Sequence, residues 1–170
     1  MRLTAQLLCD IIKNGMQLQP DQLWIYNQRR SIPEDKRMYI VVSVVSIKPY
    51  ANNNRPTNVT DGMNDLSSQY VSELMQVDLM SYTMEALERY SEVMASFVST
   101  FSQQVQALNG LKIAEVPSSI NDLSAIEGPT IMNRIAITLP VLRKYDNIIS
   151  ATYYDTFSDP VVTTEQGEIP

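Results

Sequence analysis

The sequence predicts one α+β domain, a mostly antiparallel sheet of about four strands flanked by one long and one short helix. Three patterns carry this. Arg37 to Lys48 presents Met38, Tyr39, Ile40, Val41, Val42, Val44, Val45 and Ile47 almost without interruption, a β-branched run too short for a helix and suited to a strand buried on both faces. Tyr70 to Met80 alternates, with Met75, Val77 and Leu79 on one face and Ser72, Gln76 and Asp78 on the other, as a half-buried strand does. After it, Leu87, Tyr90, Met94, Phe97, Phe101, Val105 and Leu108 recur at steps of three and four, which makes one stripe of an amphipathic helix.

In chain order, Thr4 to Lys13 is the short helix, with Leu7, Leu8, Ile11 and Ile12 on one face, Thr4 as its cap and Gly15 as its stop. Gln17 to Asp35 is polar and punctuated by Pro20 and Pro33; within it Leu23, Trp24, Ile25 and Tyr26 form an apolar knot, where Trp24 is a core or interface anchor. The first strand ends at Pro49, and Asn52 opens a polar loop that continues to about Ser68. The long helix runs from about Thr83 to Leu108, roughly 39 Å at its ordinary rise. Ser81 or Thr83 caps its start, and Asn109 with Gly110 supplies a left-handed stop. Two closing strands follow, Met132 to Leu139 and Asn147 to Phe157, joined by a polar hairpin through Arg143, Lys144, Tyr145 and Asp146, with Pro140 as a ladder breaker or edge residue.

Composition limits what such a domain can do. The 170 residues, 44% hydrophobic, supply one core, assigned to residues 1–157, with an acidic tail or arm over 158–170. No apolar run approaches the roughly 20 residues that cross a bilayer, and Asp10 and Lys13 interrupt any signal-peptide layout near the start, so membrane insertion and classical secretion are not expected. The single cysteine, Cys9, sits between Leu8 and Ile11 as a small core hydrophobe and excludes a disulfide framework. Histidine is absent, which removes serine and cysteine triads and most zinc sites. No catalytic, cofactor or metal residues are expected. Glu73 and Asp78, the nearest thing to a carboxylate pair, lie five residues apart and so point to opposite faces of one strand. A net charge of -6 argues against a protein that grips nucleic acid, since Arg29 with Arg30 and Arg143 with Lys144 are only doublets.

Exposed positions therefore supply the candidate protein interface: Asn52, Asn53, Asn54 and Arg55 in the polar loop, Gln76 and Asp78 on the polar strand face, and Arg143, Lys144 and Tyr145 at the hairpin. The run Met75, Gln76, Val77, Asp78 and Leu79 before a long amphipathic helix, with a closing sheet around Ile135 to Phe157 turned at Arg143, Lys144 and Tyr145, resembles the neck or tail-terminator proteins of tailed bacteriophages. The resemblance covers roughly Met38 to Phe157. It implies an antiparallel sheet flanked by helices whose subunits form a cyclic homo-oligomer, most simply a hexamer. That ring would end the tail tube and dock to the head connector in the virion, after synthesis in the host cytoplasm. The implied partners are the tail tube protein, the head–tail connector protein and a sheath protein, with DNA only as non-specific cargo through the lumen. Neither membrane nor cofactor belongs to this picture. The alternatives are another phage structural component, such as a head-completion or tube-like protein, a generic interaction module, or an enzyme built on paired carboxylates.

Overall fold

The computed structural model describes residues 2–19, 21–26, 37–59, 62–127 and 130–150. Among them, helix α1 (Thr4–Met16) is followed by β1 (Leu23–Ile25), β2 (Tyr39–Val59), β3 (Gly62–Ser81), α2 (Glu85–Val98) and α3 (Thr100–Asn109). The short strands β4 (Leu111–Ile113), β5 (Ser119–Asp122) and β6 (Ala125–Glu127) lead into the long β7 (Thr130–Ser150).

Six of these strands form one mixed sheet in the order β1-β2-β3-β7, with β4 and then β5 along the outer edge of β7. The seventh, β6, pairs only with Thr130–Met132. This corrects the expected sheet of about four strands with one long and one short helix: the described residues hold more strands and three helices, and β1 runs parallel to β2 while the other pairs are antiparallel.

The helices cover one face of the sheet at one end only. Leu7, Leu8, Ile11 and Ile12 of α1, with Val93 and Phe97 of α2, close on Ile40, Val42, Met75, Val77, Leu79, Ile135, Ile137 and Leu139. The alternation in β3 thus points its apolar residues into the core, as its period requires. In β2 only the first turns of the pleat are covered. Val44, Val45 and Ile47 are exposed, so the run read as buried on both faces is a core strand that becomes an exposed one.

The stripe read as one long helix is broken at Ser99. Its backbone is extended, its hydroxyl donates to the Ser96 carbonyl at 2.7 Å, and the same oxygen accepts from the Ser102 amide at 3.1 Å. One side chain therefore ends α2 and begins α3, because serine satisfies end groups that a helix interior would not leave open. Gly110, with φ 60°, ends α3 in the left-handed region as expected.

Gly15 does not stop α1, which ends one residue later with Gln17 at φ 53°. A Cβ on Gly15 would stand 2.3 Å from Ser96 Cβ, so the glycine is needed where α1 crosses α2. Thr4 is likewise not the cap. Leu3 precedes the helix, its amide donates to Gln6 Oε1, and the Thr4 hydroxyl serves Arg143 instead.

Beyond the helices β2, β3 and β7 run on together. The segment from Asn52 to Ser68 was expected as a loop, yet Asn52–Val59 pairs rung by rung with Gly62–Gln69, and Asn64–Ser81 pairs with Asn133–Ser150. Arg143 to Asp146 is no hairpin but the middle of β7, and the two closing strands are one as far as Ser150. Residues 151–157 of the predicted last strand, and the predicted tail 158–170, lie outside the described residues.

Candidate assembly surface

From Ser46 to Thr57, β2 forms with β3 and β7 a three-stranded arm roughly 35 Å long at the usual strand rise, and Asn58–Val59 carries the pairing with β3 two rungs further. Two irregularities punctuate β2: Val45 and Tyr50 are extra residues with no partner on β3, in the manner of β-bulges. Each returns the pleat to phase, so Ile47, Pro49, Asn52 and Asn54 share the helix-side face, while Lys48 and Arg55 share the back face.

The register assigns every backbone group of the arm to a side. Ile40 donates its amide to Gln22, and Tyr26 donates to the Val42 carbonyl, so residues 40 and 42 turn their backbone groups outward, away from β3. Carrying that alternation through both bulges, Val44, Ile47, Pro49, Asn52, Asn54 and Pro56 also face outward. Both prolines thus lie where the missing N–H costs the β2–β3 ladder nothing. This is where prolines are tolerated in sheets, and it blunts an edge that would otherwise template indiscriminate pairing. Pro140 follows the same logic on β7. Its carbonyl accepts from Ala114 at 3.1 Å, so its nitrogen faces the outer edge, at the gap where the chain leaves β4 and returns at Ser118 to begin β5.

The arm has two open edges among the described residues. β1 covers β2 only over Ile40–Val42, and β4 with Gly110 covers β7 only as far as Lys144. Exposed apolar side chains accompany them: Ile47 (60% exposed), Tyr50, Leu142, Ile148 (65%) and Ile149. Tyr50 and Tyr70 form a tilted ring pair at 6.2 Å on the back face.

The predicted interface residues divide between two places. Asn52, Asn53, Asn54 and Arg55 lie exposed on the arm, with Lys144 and Tyr145 on neighbouring rungs through Tyr70 and Gln69. Gln76 and Asp78 do not join them, being several rungs away on the back face over the body. There Asp78 is almost fully buried, accepts from Gln76 Nε2 and is paired with Arg134 Nε at 3.1 Å. Their chemistry is that of a satisfied buried carboxylate. Glu73 and Asp78 do face opposite sides of β3.

Arg143, read as an exposed hairpin residue, is only 3% exposed. Its Nη1 donates to Thr4 Oγ1 at 2.7 Å and its Nη2 to the Arg2 carbonyl, with the guanidinium 4.8 Å from the Tyr145 ring centre. The Tyr145 hydroxyl donates to Glu73 Oε1 at 2.6 Å. Burial first, then this bond and the Glu73 charge, raise the Tyr145 phenol above its ordinary value. The cluster fastens the start of α1 to the root of the arm, while Lys144 on the opposite face pairs with Asp146, which also accepts from Ser68. Those two bonds, Lys144 first, hold the Asp146 carboxyl below its usual range.

No group of three or more metal-ligating side chains occurs among the described residues. No described helix is long and apolar enough to cross a membrane. Cys9 packs against the core, where burial, then Asp10, pushes its thiol up to about 12. Sequence reasoning missed the exposed apolar residues and the edge of β2 because their only signal, the pleat period, is interrupted by both bulges, and missed those of β7 because Arg143 to Asp146 read as a hairpin. Compared with known proteins, the chain matches no family model and no curated sequence.

Proposed function

We propose that this chain is a structural subunit of a phage virion that associates head to tail into a ring, most simply of six copies. The ring ends the tail tube and joins it to the head connector, with DNA passing through the lumen. The arm is the observation that carries the reading. A sheet that leaves its helical layer, keeps both edges open among the described residues and exposes Ile47, Tyr50, Ile148 and Ile149 is poor in self-contained stability and rich in contact surface. Two different edges on one arm suit a heterologous contact, the kind that closes rings. Net charge of -6 disfavours adhesion of DNA to the lumen wall. Catalysis plays no part in this function; the work is done by fitting tube protein, connector and sheath protein.

Deleting 53–64, the outer part of the arm, tests the proposal. The shortened chain should fold as a monomer yet form no rings and bind no tail tubes in electron micrographs. Normal rings from that deletion would sink the idea. Unassembled full-length chain stabilised by a small molecule or metal would favour an enzyme instead.

A further inference from the structure

The outward-facing groups of the two arm edges match one another. On β7, Lys144 already donates its amide to Gly110, so the outward positions left open among the described residues are Asp146, Ile148 and Ser150. On β2, the prolines at 49 and 56 bracket a window whose outward donors are the amides of Asn52 and Asn54. Within one chain β2 and β7 run in the same direction, each antiparallel to β3 between them. Identical arms set side by side therefore bring β7 of one copy against β2 of the next in parallel.

We propose that the β7 edge of one copy pairs with the Pro49–Pro56 window of a second copy, with Ile148 opposite Asn53, making one sheet continuous between subunits. In that register Asn52 N–H bonds the Asp146 carbonyl, Ile148 N–H bonds the Asn52 carbonyl, Asn54 N–H bonds the Ile148 carbonyl and Ser150 N–H bonds the Asn54 carbonyl. Sliding the strands a pleat towards Lys144 collides with Gly110. The same slide sets the Ile148 carbonyl against the nitrogen of Pro56, which has no hydrogen to give, so Gly110 and Pro56 both favour the stated register. Side chains agree with it: Asn53 and Ile148 both lie on the back face, and the facing residues Asn52, Asn53 and Asn54 carry no charge to repel a copy. The pairing rests on the head-to-tail reading above and gives it a specific contact.

A cysteine pair tests both at once. In a Cys9→Ala background, Asn53→Cys with Ile148→Cys places the two thiols on one face of adjacent parallel strands, within disulfide range between copies. Within one chain they stand two strands and two residues apart, roughly 12 Å, too far to link. Mild oxidation should give a reducible ladder of linked subunits, and Asn53→Cys with Asn147→Cys, on opposite faces, should not. Asn54→Pro removes one outward donor without touching the β2–β3 ladder, so it should fold normally and lose association. A protein that self-associates by light scattering but gives no 53/148 ladder, or an Asn54→Pro variant that still assembles, overturns the pairing and leaves the ring. A chain that stays monomeric at every concentration overturns the ring and the pairing together.

Discussion

Arg143 offers the sharpest test of how the arm is held. Its guanidinium is buried yet among the described residues has no carboxylate in direct contact, only the Thr4 hydroxyl, the Arg2 carbonyl and the face of Tyr145, and its Nε has no partner among them. Two bonds from a charged donor contribute about 1.5–3 kcal/mol each, or about 3–6 kcal/mol together. Desolvating the ion costs several kcal/mol, so the net worth of the group is small. Truncation is different: Arg143→Ala leaves a cavity, with a hydroxyl and a carbonyl unsatisfied, and should cost about 2–4 kcal/mol. For a chain of this size that lowers the melting temperature by about 4–16 °C. Arg143→Met keeps the volume and discards the charge, so it should cost less than about 1.5 kcal/mol. Urea midpoints at constant slope measure both. Equal losses for Ala and Met would refute the reasoning, since they would make the charge itself the fastening.

Further outcomes are open to simple assays. The Cys9 thiol, pushed up to about 12, should react with an aromatic disulfide reagent at pH 8 about a thousandfold more slowly in the folded protein than in urea, and similar rates would contradict its burial. Ser99→Ala should cost about 1 kcal/mol and speed amide exchange at the α2–α3 junction; an unaltered exchange pattern there would contradict the double cap. Gly15→Ala trades about 1 kcal/mol of helix propensity against about 1–3 kcal/mol of overpacking, and adding Ser96→Gly should recover most of the loss, which an additive double variant would disprove. Because Tyr145 is raised in the folded state, its contribution is whole below about pH 10 and is lost as pH rises through the raised value. In a Cys9→Ala background, Tyr145→Phe should flatten that alkaline loss, and an unchanged slope would exclude this assignment.

What the sequence disclosed followed burial. Met75, Val77 and Leu79 were legible because an anchored face makes the pleat period visible, and Gly110 because a left-handed helix end demands glycine. The arm was not, since its pairing is carried by backbone groups and its side chains, such as Asn52, Asn54 and Ser67, bury little. Pro49 and Pro56 read as breakers. Seven residues apart, they would face opposite sides of a regular strand, and only the extra residue at Tyr50 turns both to the open edge. The α2–α3 stripe stays in phase across Ser99, so periodicity concealed a break that one hydroxyl makes. Arg143, Lys144 and Tyr145 looked like a turn because three polar side chains interrupt an apolar alternation. In the structure two of them serve a buried cluster and the third a surface ion pair.

The central claim is that the arm exists to join copies of this chain. Its most direct test is the mass of the purified protein by light scattering after gel filtration, across a wide range of concentrations. A closed ring should show a concentration-dependent rise to a fixed multiple of 19.2 kDa that then stays constant. A mass of one chain at every concentration would contradict it, and so would growth without limit.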